Sequence, residues 1–241
     1  MKRPPRLLKR CLLAIACSHL LAVSAHAQTG AQHGATGATN SSSSPSAISM
    51  KPETSMMKFT QHTIESAPEG SGQALARLKQ SAGLVPNLAA AMAESPALID
   101  GFVTLREIYQ RGTLTAQDRE ILGTANAVAN RCEWCVAFHS FVAGKVGVPG
   151  ATIEAIRAGA APADARAQAL TRFTTQLIER RGAVDPRELD TFLAAGFTKQ
   201  QALEVVTGLA FSLMANYAGN FVEPQFDTFL APTKWTAPAQ R

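Results

Sequence analysis

The chain has 241 residues, of which 46% are hydrophobic and 17% charged, and these values fit one globular domain with a buried core. Its formal charge of +5 is local, because five of the 23 basic residues and no acidic ones fall in residues 1–27, which leaves 18 basic against 18 acidic residues elsewhere. A neutral domain has no field that attracts phosphates, so we expect no nucleic-acid partner. Only two of the four cysteines follow residue 27, too few for a disulfide-stapled scaffold.

The first 27 residues have the layout of a secretory signal peptide. A basic segment, Met1–Arg10, precedes the mostly apolar Cys11–Ser24, and Ala25–Ala27 has the small-x-small pattern of a cleavage site. The apolar stretch is too short for a stable membrane anchor. We therefore expect a mature chain that begins at Gln28, is periplasmic or secreted, and has no membrane contact after cleavage.

Two alternatives remain open at this end of the chain. Cys17 is a candidate lipoprotein cysteine, although the apolar run continues past it. Met56 and Met57 stand where globular sequence begins, and translation from either would give a cytoplasmic protein.

Residues 28–57 are rich in Gly, Ser and Thr and poor in bulky apolar residues. Such a segment cannot recover its ordering entropy by burial, so it is predicted to be a disordered linker. The folded domain is then expected to span residues 58–241.

This domain reads as a succession of helices with no alternating strand pattern. Ser95-Pro96 is an N-cap followed by Pro at the first helical position, and Thr115 with Asp118 resembles a capping box. Asn130 is suited to a left-handed helix stop. Apolar spacing and further capping signatures predict helices over 133–146, 150–159, 163–181, 186–195 and 199–218. The predicted fold class is all-α.

One group of residues can carry chemistry. In a helix that begins near Cys132, Cys135 and His139 share its face, with His139 one turn beyond Cys135. Glu120 and His139 are nearly equidistant from a turn at Asn130, so an antiparallel helix pair would place them opposite each other. The carboxylate would orient the imidazole, which would accept the thiol proton. Lowering a thiol pKa from about 8.5 to about 6.5 raises the thiolate fraction at pH 7 from roughly 3% to roughly 75%.

Three other interpretations of the same residues stay open. A structural disulfide between Cys132 and Cys135 would close a very short loop and stabilise the fold by only about 2 kcal/mol. Cys132, Cys135, His139 and Glu120 also number enough ligands for zinc, although structural zinc sites usually take paired ligands from separate elements. Finally, the cysteines can be ordinary buried residues without chemistry.

The run from Glu120 through Cys132-x-x-Cys135 to His139 resembles the signature of the carboxymuconolactone decarboxylase / alkylhydroperoxidase D superfamily. Residues 83–88, 94–98 and 144–156 resemble its flanking helices, and the resemblance covers about residues 58–230. It implies an alkylhydroperoxidase D-like all-helical domain, whose central antiparallel helix pair carries the CxxC motif, and assembly as a homotrimer or hexamer.

The resemblance also implies roles for these residues. Cys135 would be the nucleophile that attacks peroxide, and Cys132 would be the proton donor and resolving cysteine that forms a disulfide with it. His139 would be the base and Glu120 the residue that relays protons and orients it, with no cofactor or metal. Trp134 stands where a peroxidase of the family has a His.

We therefore predict a thiol-dependent hydroperoxidase or disulfide reductase, with a hydroperoxide substrate and an unidentified thiol or dithiol reductant. One alternative is a cofactor-free, decarboxylase-like enzyme that uses Glu120 and His139 for acid–base chemistry, although the decarboxylase branch lacks the cysteine pair. The other is a non-enzymatic helical protein that binds metal or acts by oligomerisation.

Overall fold

Helices make up all the regular structure of residues 59–239, the part of the chain that our computed structural model describes, and this part contains no β-strand. The α-helices are α1 (Ser71–Ala82), α2 (Asn87–Met92), α3 (Pro96–Gln110), α4 (Ala116–Ala129), α5 (Glu133–Lys145), α6 (Gly150–Arg157), α7 (Ala165–Glu179), α8 (Pro186–Ala194) and α9 (Lys199–Val222), followed by a 3-10 helix, Thr228–Thr233. The all-α prediction is confirmed. The predicted signal peptide and linker lie outside the described residues and stay predictions.

The predicted capping motifs begin helices where the sequence places them. At the start of α4, Thr115 accepts a hydrogen bond from the Asp118 N–H, and the Asp118 carboxylate accepts one from the Thr115 N–H. Ser95 caps α3 through its side chain, and Thr198 begins α9 with a second capping box. Each such cap satisfies donors that the first turn leaves free and stabilises its helix by about 1 kcal/mol.

The prediction that Asn130 adopts the left-handed conformation is wrong. Asn130 has φ −89°, and Arg131, the next residue, is left-handed with φ 56°. The Asn130 side chain instead donates to the carbonyl of Asn126 at 2.9 Å. It therefore stops α4 by binding the end of the helix, and the chain reverses one residue later.

Apolar spacing and capping signatures predicted neither α1 nor α2, although residues 83–88, which resemble a flanking helix of the family, overlap the start of α2. Gly70 precedes α1 without a side-chain cap, and α2 has only six residues, fewer than two turns of apolar periodicity. Their buried residues show that tertiary packing forms them, as is usual for helices too short to be stable alone.

Helices α4 and α5 pack against each other as an antiparallel pair, and α4 separates two buried clusters. The first core surrounds Cys132 and Cys135 and takes residues mainly from α1, α2, α3 and α5. The second core lies between α4 and the helices α6 to α9 and is centred on Phe173, Phe192 and Phe197. The first of these two clusters is the one that contains the residues singled out for chemistry.

Helix α9 carries apolar residues on an exposed side as well as on its packed side. Leu203, Tyr217 and Phe221 are exposed by 73%, 62% and 62%, respectively. By length and composition alone α9 would pass as a membrane span, a test that core helices of soluble proteins also pass. Its other side packs against α3 and α4, so α9 is an integral helix of this fold with one uncovered apolar face.

Candidate active site

The two cysteines stand at the N-terminus of α5. Cys132 is the N-cap residue, and its Sγ accepts a hydrogen bond from the Cys135 N–H at 3.3 Å. The two sulfurs lie at disulfide-bonding distance, with their Cα atoms 5.2 Å apart. Both side chains are buried. A helix N-terminus favours negative charge, so this position stabilises a thiolate at Cys132 when the pair is reduced.

The antiparallel pair brings Glu120 and His139 together. Glu120 Oε2 lies 2.8 Å from His139 Nδ1, and the two side chains are only 17% and 12% exposed. A carboxylate can only accept, so it holds the imidazole with its proton on Nδ1 and the lone pair on Nε2. Nε2 is therefore the ring nitrogen that is able to accept a proton from a thiol.

Two glycines make room for these side chains. A Cβ on Gly123, one turn after Glu120 on α4, would lie 2.8 Å from His139 Nε2 and closer still to other ring atoms. A Cβ on Gly219 of α9 would lie 2.7 Å from Cys132 Sγ. Glycine inside a helix costs about 0.5–1 kcal/mol relative to alanine. Both glycines stand where a helix backbone closely approaches a side chain of the candidate site.

A cavity of about 290 Å³ adjoins the site. Cys135, His139 and Glu120 border it, whereas Cys132 does not. Most of its wall is apolar or aromatic, with side chains from α1, α2, α3 and α5. Because one water occupies about 30 Å³ of liquid, the cavity is roughly ten times larger than a water molecule and is close to the lower end of organic-ligand pockets.

Trp134 anchors α5 and also borders the cavity. Its ring stacks on Phe138 at 5.2 Å, and its Nε1 donates to Asp227 Oδ2 at 3.2 Å. Burial raises the pKa of Asp227, although this bond and one from the Asn87 N–H oppose the rise. Trp134 thus fixes the wall of the cavity by packing and by one hydrogen bond.

Sequence reasoning missed three polar residues that line the cavity. Arg106 and Tyr109 of α3 and Arg119 of α4 all line it. Burial lowers the pKa of Arg106, with the nearby carboxylate of Glu120 acting in the opposite direction. Burial also raises the pKa of the Tyr109 hydroxyl. No sequence signal links α3 to the CxxC motif, because only the packed fold brings them together.

Three of the four sequence-predicted site residues, Glu120, Cys135 and His139, border one cavity, and Cys132 lies behind Cys135. Their chemical roles stay predictions. Glu120 pairs with His139, and the cysteines pair with each other. Across residues 59–239, no three His, Cys, Asp or Glu side chains are arranged to hold a metal ion.

Comparison with known proteins finds a family model and a relative that each match part of the chain. A model of the carboxymuconolactone decarboxylase family matches residues 96–176. An alkyl hydroperoxide reductase of Mycobacterium tuberculosis is 34% identical over 112 residues, which cover 44% of this chain. They cover only 32% of that protein, so the chain matches about a third of the length of this curated relative.

Solved structures share the fold. A peroxidase-related protein from Ralstonia eutropha JMP134, described as an alkylhydroperoxidase D core, superposes with a TM-score of 0.63 at 20% identity, over 72% of this chain and 93% of that one. The debrominase Bmp8 superposes with a TM-score of 0.57 at 15% identity, over 68% of this chain and 90% of its own. These likenesses establish the helical architecture.

Proposed function

We propose that the chain is a thiol-dependent hydroperoxidase of the carboxymuconolactone decarboxylase / alkylhydroperoxidase D superfamily, a proposal supported by the family model that matches residues 96–176 and by the alkyl hydroperoxide reductase relative. One observation carries the proposal. Cys135 borders an organic-sized cavity together with the His139–Glu120 pair, while Cys132 stands behind it at disulfide-bonding distance. The alkyl hydroperoxide reductase relative supports the same reaction class.

The first step is attack of the Cys135 thiolate on a hydroperoxide. His139 Nε2 takes the thiol proton, and Glu120 stabilises the imidazolium that forms. The sulfur bonds to the terminal peroxide oxygen as the O–O bond breaks. The alkoxide leaves with a proton from the imidazolium as an alcohol, and Cys135 becomes a sulfenic acid.

The second step closes the disulfide. Cys132 attacks the sulfur of the Cys135 sulfenic acid, and hydroxide leaves with a proton as water. The thiolate is the attacking form, and the helix N-terminus together with the Cys135 N–H favours that form at Cys132. The product is a disulfide between Cys132 and Cys135, whose sulfurs lie at bonding distance in this structure.

The third step returns the enzyme to its dithiol form. A thiolate of a dithiol reductant attacks Cys135, the sulfur that borders the cavity, and Cys132 leaves as a thiolate. The N-terminus of α5 favours negative charge, so the N-cap position of Cys132 aids its departure as a thiolate. The second thiol of the reductant then attacks the reductant sulfur that is bonded to Cys135. This forms the disulfide of the reductant and releases the reduced Cys135.

The experiment follows hydroperoxide consumption by the reduced domain in a single turnover, with sulfenic-acid trapping and mass mapping. Cys135→Ser is expected to abolish the reaction, and Cys132→Ser to react once, leave a trapped oxygen on Cys135 and then stop. A burst retained by Cys135→Ser, or a trapped oxygen on Cys132, would show that the roles are assigned wrongly. Far-UV circular dichroism controls for folding of both variants.

The same samples test the alternatives. An acid–base enzyme that uses Glu120 and His139 would keep its turnover when both cysteines are replaced. A metal-binding protein would hold stoichiometric zinc and have thiols that resist oxidation. For the hydroperoxidase we expect interconversion of dithiol and disulfide without permanent metal.

Location and assembly form separate parts of the proposal. We place the protein outside the cytoplasm because of the layout of residues 1–27, and intact mass from the native host tests for a start at Gln28. A cytosolic chain starting at Met1, Met56 or Met57 would refute export. We also propose a homo-oligomer, supported by the exposed apolar side of α9, and sedimentation of a monomer at micromolar concentration would contradict it.

A further inference from the structure

The cavity carries an excess of positive charge. Arg106 and Arg119 both line it, and the carboxylate beside them, Glu120, is held by His139. Arg106 donates to the Ser81 hydroxyl at 2.9 Å, and Arg119 donates to the Leu114 carbonyl. Both acceptors are neutral, so neither guanidinium has its charge neutralised by a direct partner.

Three other arginines of the fold, in contrast, are paired with carboxylates. Arg77, Arg166 and Arg172 each pair with a carboxylate at 2.9 Å or less, whereas Arg106 and Arg119 form no salt bridge with any residue that the structure describes. Both arginines that border the cavity beside the Glu120–His139 pair are thus without a carboxylate partner among the described residues. A guanidinium keeps its charge when buried, and an unpaired charge in a poorly solvated place is costly.

A buried tyrosine also adjoins this space. Tyr109 is 5% exposed and lines the cavity, and its hydroxyl has no hydrogen-bond partner among the residues that the structure describes. Gly208 allows the ring to lie against α9, since a Cβ there would be 2.7 Å from the hydroxyl oxygen. The hydroxyl itself lies against α9, so the tyrosine contributes its ring to the wall, and the two guanidinium groups are the cationic donors that line the cavity.

The rest of the wall recognises an apolar body. Phe102, Phe138 and Phe141 line it with other apolar side chains, and aromatic walls favour aryl or branched alkyl groups. Hydrogen peroxide would leave most of the 290 Å³ unfilled.

We propose that the cavity selects an organic hydroperoxide that also carries a carboxylate, bound by Arg106 and Arg119 while the apolar body faces the aromatic wall. This inference rests on the proposed hydroperoxidase function. A guanidinium binds a carboxylate in a bidentate, charge-assisted way. Hydrogen bonds to charged groups contribute about 1.5–3 kcal/mol, so the carboxylate should improve binding by about ten- to a hundredfold.

Binding is measured first and without turnover. The disulfide form is titrated by calorimetry with 4-isopropylbenzoate and with its neutral amide, two unreactive probes of nearly equal shape. We expect the carboxylate to bind at least tenfold more tightly. Arg106→Gln should remove most of this preference, and Arg106→Lys, which keeps the charge but loses the fork, should keep part of it. Arg111→Gln, at the exposed end of α3, is the matched control and should keep it all.

Turnover is measured second. The reduced enzyme receives cumene hydroperoxide bearing a 4-carboxylate or the corresponding methyl ester. We expect kcat/KM to favour the acid by about tenfold or more, and Arg106→Gln to bring the ratio close to one.

The two measurements separate the two claims. Equal binding of benzoate and amide, with both peroxides consumed equally, would overturn the carboxylate site and leave the hydroperoxidase intact. Tight, Arg106-dependent binding of the benzoate with no consumption of either peroxide would overturn the proposed function and keep the site. Melting temperatures of all variants show whether a lost preference reflects misfolding.

Discussion

The two cores of this domain use their volume in opposite ways. The second core is closed by stacked rings, with Phe192 4.1 Å from Phe197 and 4.5 Å from Phe173, and Phe192 is fully buried. The first core holds the two sulfurs and borders a cavity with polar groups. Helix α4 contributes to both, because Leu122 packs in the second core while Glu120 reaches the cavity. The second core therefore fixes the helix from which the first core takes its carboxylate.

The largest effect is expected from the first core. Glu120→Gln keeps an acceptor for His139 but removes the negative charge that stabilises the imidazolium. General-base assistance contributes about 100- to 10,000-fold, so the burst rate with hydroperoxide should fall within that range while the unfolding free energy changes little. Stopped-flow peroxide decay and urea unfolding measure the two quantities. Glu107→Gln, a surface carboxylate beside Arg77, is the control, and a wild-type burst from Glu120→Gln would remove Glu120 from the mechanism.

A substitution in the second core should instead lower the stability of the fold and leave turnover unchanged. Phe192→Ala deletes a fully buried ring and leaves a cavity, which typically lowers the free energy of unfolding by about 3–5 kcal/mol. Turnover per folded molecule should stay unchanged, because Phe192 touches neither the cavity nor the sulfurs. Ile108→Ala, at a side chain that is 47% exposed, should cost far less. A large loss of turnover in folded Phe192→Ala would show that the cores are not separable.

Two glycines of the central pair sharpen the comparison, because the same substitution meets different surroundings. Gly123→Ala places a methyl group against the His139 ring and should lower the burst rate by about tenfold or more, since a small misplacement of a catalytic group is costly. Gly144→Ala meets no atom within 4 Å and should raise the unfolding free energy by about 0.5–1 kcal/mol. If both variants behaved alike, steric contact with His139 would not be the reason for glycine at position 123.

The smallest effect concerns a carboxylate at the edge of the first core. Burial raises the pKa of Asp227 above its ordinary value, so the folded state holds this proton more firmly than the unfolded state. The resulting stability is present below the ordinary pKa of about 3.9 and is lost as pH rises through the higher folded value. We expect the unfolding free energy of wild type minus that of Asp227→Asn to fall by at most about 1 kcal/mol between pH 3.5 and 7. Urea unfolding at several pH values measures it, and a rise instead would contradict the raised pKa.

Local signals explain which parts of the site the sequence revealed. Cys132, Cys135 and His139 share one helix, so their spacing alone predicts a common face, and the count of residues from the turn predicts that Glu120 meets His139. The contact at 2.8 Å agrees with that register. Capping at Thr115 was equally local. In each case the needed information lies within about twenty residues of chain.

The parts that the sequence did not reveal depend on long-range packing. Arg106 and Tyr109 are separated from the CxxC motif by a whole helix, and nothing in their own segment indicates a cavity. The end of α4 shows that the sequence also left the exact turn residue open. Asn130 was predicted to be left-handed, but its amide donates to the Asn126 carbonyl and Arg131 takes the left-handed conformation. Gly123 and Gly219 are visible in the sequence as glycines inside helices, but the side chains that they make room for are known only from the folded structure.

Gly219 also restricts how this chain can diverge. Every other amino acid carries a Cβ, which would meet the Cys132 sulfur at 2.7 Å. We therefore expect any substitution of Gly219 to be harmful while the cysteine pair is retained. Leu203, on the same helix but largely exposed, is under no such constraint from the site. If a lineage lost the cysteines, position 219 would become free to drift. The residue found there in a distant relative would then record whether sulfur chemistry was still under selection.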